Sequence, residues 1–144
     1  MNRLLAVFPR NLDLALLILR VVVGVVFMMH GWQKLFQYGI AGVTGSFEGM
    51  GVPLPGIAAP FVSVLEFAGG ILLILGALTP LVAALLAINM LVAVLLVHLK
   101  AGFFLPNGYE FALTLMAASL ALMLTGAGAY SVDGRLGKRG PARS

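Results

Sequence analysis

The chain alternates between long apolar segments and shorter segments rich in polar residues, glycine and proline. The apolar segments cover residues 14–36, 57–77, 81–99 and 109–126. Each is close to the roughly 20 residues that an α-helix needs to cross about 30 Å of hydrocarbon. Because backbone groups in lipid must be hydrogen-bonded within the protein, the pattern predicts an all-α protein, a bundle of four transmembrane helices.

The composition supports a membrane protein. Of the 144 residues, 61% are hydrophobic and only 10% are charged, and the mean hydropathy is +1.08. Soluble domains carry about 25% charged residues. The sequence therefore predicts one membrane domain over residues 14–130, between an N-terminal tail at 1–13 and a basic C-terminal tail at 131–144. Pro9, Arg10 and Asp13 interrupt the first short apolar run, so we expect no cleaved signal there.

The positions of the cations predict the orientation. The tails carry Arg3, Arg10, Arg135, Lys138, Arg139 and Arg143, whereas the first and third connections carry only Lys34 and Lys100. The positive-inside rule then places both termini in the cytoplasm. The net charge of +4 is explained by topology, and nucleic acid is not a predicted partner.

The connections differ in length. Residues 37–56 and 100–108 are rich in glycine and proline and are predicted to form outward loops, whereas residues 78–80 form a tight turn. Loops carry binding sites more often than turns do, so a partner protein would dock on the outward side. The chain has no cysteine, which excludes a disulfide, a thiol relay and an iron–sulfur cluster bound by this chain.

Two charged residues fall inside the apolar segments. Arg20 lies on a polar stripe of the first segment, and Glu66 is the one acid within the apolar core of the second. A charge at mid-bilayer is normally paired, so we expect Arg20 and Glu66 to form a structural ion pair, with Asn89 adding a hydrogen bond. The alternative is that these three residues only fix the packing of the helices.

A second polar layer is predicted near the outward ends of the segments. It contains His30, Lys34, His98, Lys100 and Glu110, which topology collects beneath the two long loops. They are candidates to line a pocket. Both lysines also suit a role as interfacial anchors, and Glu110 also suits the N-terminus of a helix.

Haem or metal ligation by His30 and His98 is the disfavoured alternative. On an ideal helical wheel His98 points away from Asn89, so the third segment cannot direct both inward without distortion. The methionines show no ligand spacing, and no metal site is predicted. Nucleotide-binding glycine motifs are absent from the sequence, and no covalently bound cofactor is expected.

Four motifs identify a family resemblance. They are RVVVGVVFMMHGWQKL, GVPLPGIAAPFVSVLEFAGGILLILGALTPLVA, HLKAGFFLPNGYEFAL and GAGAYSVD. In this order they resemble the DoxX family of small bacterial four-helix membrane proteins, which implies a location in the bacterial inner membrane. The polar positions that match are Arg20, His30, Lys34, Glu66, His98, Asn107, Glu110, Ser131 and Asp133.

The resemblance implies a link to quinone chemistry. The family takes its name from a subunit of a thiosulfate:quinone oxidoreductase, and other members resemble membrane partners in oxidative-stress and quinone-response systems. We expect an apolar cleft in which His30, Lys34 or His98 donates hydrogen bonds to a quinone or quinol. Glu66 or Glu110 would exchange the catalytic proton, and a redox partner protein would handle the electrons.

Two other functions remain open from the sequence. The chain could be a non-enzymatic anchor or assembly protein whose outward loops dock another protein. It could also be a small-solute carrier, which with four short spans would need to form a homo-oligomer.

Overall fold

A computed structural model describes residues 10–137, and its regular elements are all helices. In chain order they are α1 (Leu12–Trp32), a first π-helix (Gln33–Tyr38), α2 (Gly39–Gly49), α3 (Pro55–Leu75), α4 (Thr79–Val92), a second π-helix (Ala93–His98), a 3₁₀ turn (Leu99–Ala101), α5 (Glu110–Thr125) and α6 (Val132–Gly137). The predicted all-α fold is confirmed for this part of the chain. Arg3, Lys138, Arg139 and Arg143 lie outside the described residues.

Three helical stretches are long and apolar enough to cross a membrane. They are Leu12–Gly49, Pro55–Leu75 and Thr79–Ala101, and α5 is a shorter apolar helix of 16 residues. Large apolar side chains such as Ile18, Val22, Leu81, Ile88 and Leu95 are exposed on the outer faces of the helices, as expected for surfaces that contact lipid. The count of four spans and the orientation of the termini stay predictions.

Glycines set the close approach of α1 and α3. A Cβ at Gly31 would overlap the backbone of Phe67, and one at Gly70 would overlap the backbone of Met28. Small residues allow such backbone contact between helices in lipid. On the neighbouring face of α3, Gly69 lies against Val82 of α4. The adjacent glycines Gly69 and Gly70 therefore allow close packing against two different helices, α4 and α1.

Residues 39–49 correct the predicted first loop. The chain remains helical through Gly49, and Gly39, at φ 73°, changes its direction where α2 begins. The glycine-rich sequence GIAGVTGSFEG disfavours a helix by propensity alone. Burial of Val43, which is 3% exposed, offsets that cost. We call this end of the bundle, with α2 and residues 102–109, the loop end.

The opposite end, with the start of α1 and with α6, is the tail end, and Arg20 is buried there. Its guanidinium donates to the carbonyls of Leu73, Ile74, Ala127 and Tyr130. The first two belong to the last turn of α3, where helix carbonyls lack their regular intrahelical partners, although the carbonyl of Leu73 also accepts from the N–H of Gly76 at 3.1 Å. Gly76, at φ 68°, ends that helix, and a Cβ there would crowd the guanidinium.

The predicted Arg20–Glu66 ion pair is therefore wrong. Arg20 is 1% exposed and satisfied by backbone carbonyls, while Glu66 bonds to Lys34 and Asn89. A helix terminus offers partially negative carbonyls that attract a cation as a carboxylate does. The hydrogen bond predicted for Asn89 is made, but to Glu66 rather than to an Arg20–Glu66 pair.

Candidate functional site

A cavity of about 450 Å³ lies toward the loop end of the bundle. Its walls are mainly apolar and come from α1, α3, α4 and α5. At the loop end, Phe47 of α2 and Leu105 and Pro106 of residues 102–109 also line it. The polar side chains that line it are His30, Lys34, Glu66, Asn89 and His98. An apolar cavity of this size with a few convergent polar groups is typical of a small-molecule site.

Glu66 is the centre of the polar group. Its Oε2 accepts a hydrogen bond from the ammonium of Lys34, and its Oε1 accepts one from Nδ2 of Asn89 at 3.0 Å. The side chain of Glu66 is 5% exposed and that of Lys34 is 20% exposed. Two donors on two different oxygens hold the carboxyl group in one orientation. The pair therefore places a fixed negative and a fixed positive charge on the cavity wall.

Both histidines are oriented by backbone carbonyls. Nδ1 of His30 lies 2.9 Å from the carbonyl oxygen of Val26, and Nδ1 of His98 lies 2.9 Å from that of Asn107. The ring of His30 also packs on Phe111 of α5, with 5.9 Å between the ring centroids. Each imidazole is thus held in a defined orientation on the cavity wall.

The two π-helices position Lys34 and His98. Lys34 is the second residue of the first π-helix, and His98 ends the second. A π-helix closes i→i+5 hydrogen bonds, so each turn holds more residues and the faces rotate relative to an α-helix. Asn89 and His98 line the same cavity, and the π-helix between them is the distortion that the segment was expected to need in order to direct both inward.

Other residues with predicted roles lie elsewhere. Glu110 accepts a hydrogen bond from the backbone N–H of Leu105 at 2.8 Å, Lys100 is exposed, and neither lines the cavity. At the tail end, Asp133 accepts from the N–H groups of Leu78 and Thr79, both at 2.8 Å. It thereby caps the N-terminus of α4 from another segment of the chain.

Some lining residues were not identified from the sequence. Phe47 and Phe111 belong to them, and both are apolar side chains in a chain full of apolar side chains. No periodicity distinguishes a cavity wall from a lipid-facing surface. Among residues 10–137 no group of three or more His, Cys, Asp or Glu side chains is arranged to hold a metal ion.

Comparison with known proteins gives consistent family matches. The DoxX family model matches residues 15–99, and the model described as "TQO small subunit DoxD" matches residues 58–141. Inner membrane protein YqjF of Escherichia coli is 35% identical over 88% of this chain and 95% of its own length. "Putative oxidoreductase CatD" of Bacillus subtilis is 34% identical over 86% of this chain and 88% of its own.

A third relative, an uncharacterized protein of Haemophilus influenzae, is 35% identical over 84% of this chain and 90% of its own length. No solved structure matches the chain. The length of the matches shows that the similarity covers the cavity and the tail end together, and the names of the relatives agree with a location in the bacterial inner membrane.

Proposed function

The chain belongs to the DoxX family of bacterial membrane proteins, and from that premise we propose that its cavity binds the head group of a quinone or quinol within an oxidoreductase system. The observation that carries this proposal is the convergence of five polar side chains, His30, Lys34, Glu66, Asn89 and His98, on one apolar cavity. A quinone head group combines a flat apolar ring with two oxygens and needs both kinds of surface.

Glu66 is the group that we propose for proton exchange. It lines the cavity, whereas Glu110 does not. Its carboxylate is held by Lys34 and Asn89, so a proton that arrives there competes with two existing hydrogen bonds. Proton transfer by a positioned carboxylate is a common role in such chemistry.

The electrons are proposed to pass to or from a partner protein. The chain contains no cysteine, so a thiol of this chain cannot take part. One matching family is described as the small subunit of a larger enzyme, and one relative carries an oxidoreductase name. Both support a subunit that works with a redox partner.

We predict that blocking the cavity removes quinone binding. Ala58 of α3 lines the cavity, whereas Ala68 of the same helix is exposed and does not. Ala58→Phe should fill part of the cavity and weaken binding of a short-chain quinol or quinone at least tenfold, a loss of about 1.4 kcal/mol. Ala68→Phe should leave binding unchanged. The measurement is equilibrium titration of purified protein in detergent.

A flat titration of the wild-type protein, up to the solubility limit of both ligands, would contradict the proposal and leave the anchor or assembly function in its place. Equal weakening by Ala58→Phe and Ala68→Phe would also contradict it, because the exposed position does not touch the cavity.

The proposed orientation places α6 in the cytoplasm and the loop end outside. Because the wild type has no cysteine, single cysteines can be labelled without background. Ser46→Cys on α2 and Asn107→Cys, both at exposed positions, should react with an impermeant maleimide in intact cells. Leu136→Cys, 61% exposed on α6, should react only after permeabilisation. Labelling of Leu136→Cys in intact cells would reverse the orientation.

A further inference from the structure

The hydrogen bonds of the two histidines restrict which ligand they can serve. A carbonyl oxygen only accepts, so Nδ1 of His30 and Nδ1 of His98 must each carry a hydrogen in order to bond to Val26 and Asn107. A neutral imidazole has one donor and one acceptor nitrogen. In the neutral form of each ring Nε2 is therefore the acceptor, and among residues 10–137 neither Nε2 has a hydrogen-bond partner.

The remaining polar groups of the cavity offer both kinds of hydrogen bond. Lys34 has N–H groups beyond the one that bonds to Glu66, and Asn89 has a second N–H and a carbonyl oxygen. The N–H groups lie on the Glu66 side of the site and serve a ligand that accepts, and the carbonyl oxygen of Asn89 on the same side serves a ligand that donates. The histidines supply acceptors alone, because their N–H groups are bonded to the backbone.

We infer that the cavity prefers the reduced, hydroxyl-bearing hydroquinone form of its ligand to the oxidised quinone, because Nε2 of a neutral His30 or His98 ring, with Nδ1–H bonded to the backbone, can only accept. This inference rests on the proposed function and names the redox form that the site selects. A quinone oxygen only accepts and leaves a neutral Nε2 without a partner, whereas a phenolic O–H donates to it. A polar group that loses water without gaining a partner weakens binding.

The test compares three ligands with the same ring under anaerobic conditions. They are a short-chain benzohydroquinone, the corresponding benzoquinone and the dimethyl ether of the hydroquinone, which keeps two oxygens but has no O–H group. We expect the hydroquinone to bind about tenfold more tightly than either of the others. Quinone binding as tight as hydroquinone binding would overturn the inference and leave the proposed function standing. No saturation with any ligand would overturn both.

Two pairs of variants place the preference on the histidines. Asn at position 30 or 98 keeps an N–H near the position of Nδ1 and removes the acceptor, whereas Gln offers an amide oxygen near the position of Nε2. His98→Asn and His30→Asn should weaken hydroquinone binding at least fivefold and leave quinone binding unchanged. His98→Gln should bind hydroquinone more tightly than His98→Asn, and His30→Gln more tightly than His30→Asn.

Thr114→Ala is the matched control, because Thr114 lies on α5 outside the cavity lining and bonds to its own helix. Equal weakening of all three ligands by the asparagine variants would overturn the role of Nε2. Unfolding midpoints of the variants identify any that fail to fold. Should a variant be unfolded, the ligand comparison on the wild type still decides the preference.

Discussion

Arg20→Met is expected to lower the free energy of unfolding by about 3 to 5 kcal/mol. The substitution keeps a long apolar side chain but removes every donor, so the carbonyls of Ile74, Ala127 and Tyr130 lose their bonds to the guanidinium and that of Leu73 keeps only its bond from Gly76. An unsatisfied buried acceptor costs about 1 to 3 kcal/mol, and water that enters the tail end reduces that cost. Unfolding of the purified protein in mild detergent measures the change.

Arg135→Met provides the control for the loss of a positive charge, because Arg135 is exposed on α6. Arg20→Lys should recover only part of the loss, since an ammonium cannot match the planar fork of a guanidinium. If Arg20→Met were as stable as Arg135→Met, the carbonyl contacts would contribute nothing and the account of the tail end would be contradicted.

The sequence predicted the helices well because their signal is long and repeated. Predicted segments 57–77 and 81–99 correspond to α3 (Pro55–Leu75) and to the stretch Thr79–Ala101. The prediction for segment 14–36 is wrong only at its C-terminal end, where the helical stretch continues through α2 to Gly49. Glycine content there predicts a loop, and burial of Val43 against the bundle is a tertiary effect that no local pattern reveals.

The partner of Arg20 could not be predicted by matching charges. The sequence shows one acid in the apolar core, Glu66, and pairing the two charges is the simplest solution. Matching charged residues in the sequence cannot identify the carbonyl groups at the end of a helix, because every residue carries a carbonyl group. They become available to Arg20 only because Gly76 ends α3 beside it.

The members of the candidate site were predicted better than their geometry. Five residues were candidates to line one pocket near the loop end; His30, Lys34 and His98 line the cavity, whereas Lys100 and Glu110 do not. The ideal wheel failed for His98, since a regular α-helix was assumed where Ala93–His98 forms a π-helix. Neither π-helical segment has a composition that separates it from the α-helix before it, so a sequence pattern alone cannot place the rotation.

Lys34 and Glu66 are expected to depend on each other for stability, and Arg20 and Glu66 are expected to be independent. Glu66→Gln leaves the Lys34 ammonium without its carboxylate and should cost about 3 kcal/mol, the lower end of the range for a broken buried pair. The lower end applies because the Lys34 side chain is 20% exposed. Lys34→Met leaves the carboxylate unpaired, with a comparable expected cost.

The double variant Lys34→Met with Glu66→Gln should lose much less than the sum of the single losses, with a coupling of at least about 1 kcal/mol. The cycle of Arg20→Met with Glu66→Gln should be additive within about 0.5 kcal/mol, because the two side chains share no hydrogen-bond partner. Additivity in the first cycle or strong coupling in the second, measured as unfolding in detergent, would reverse the assignment. The outcome matters for function because a coupled pair holds the carboxyl group of Glu66 and the amino group of Lys34 together on the cavity wall, where a ligand would meet both.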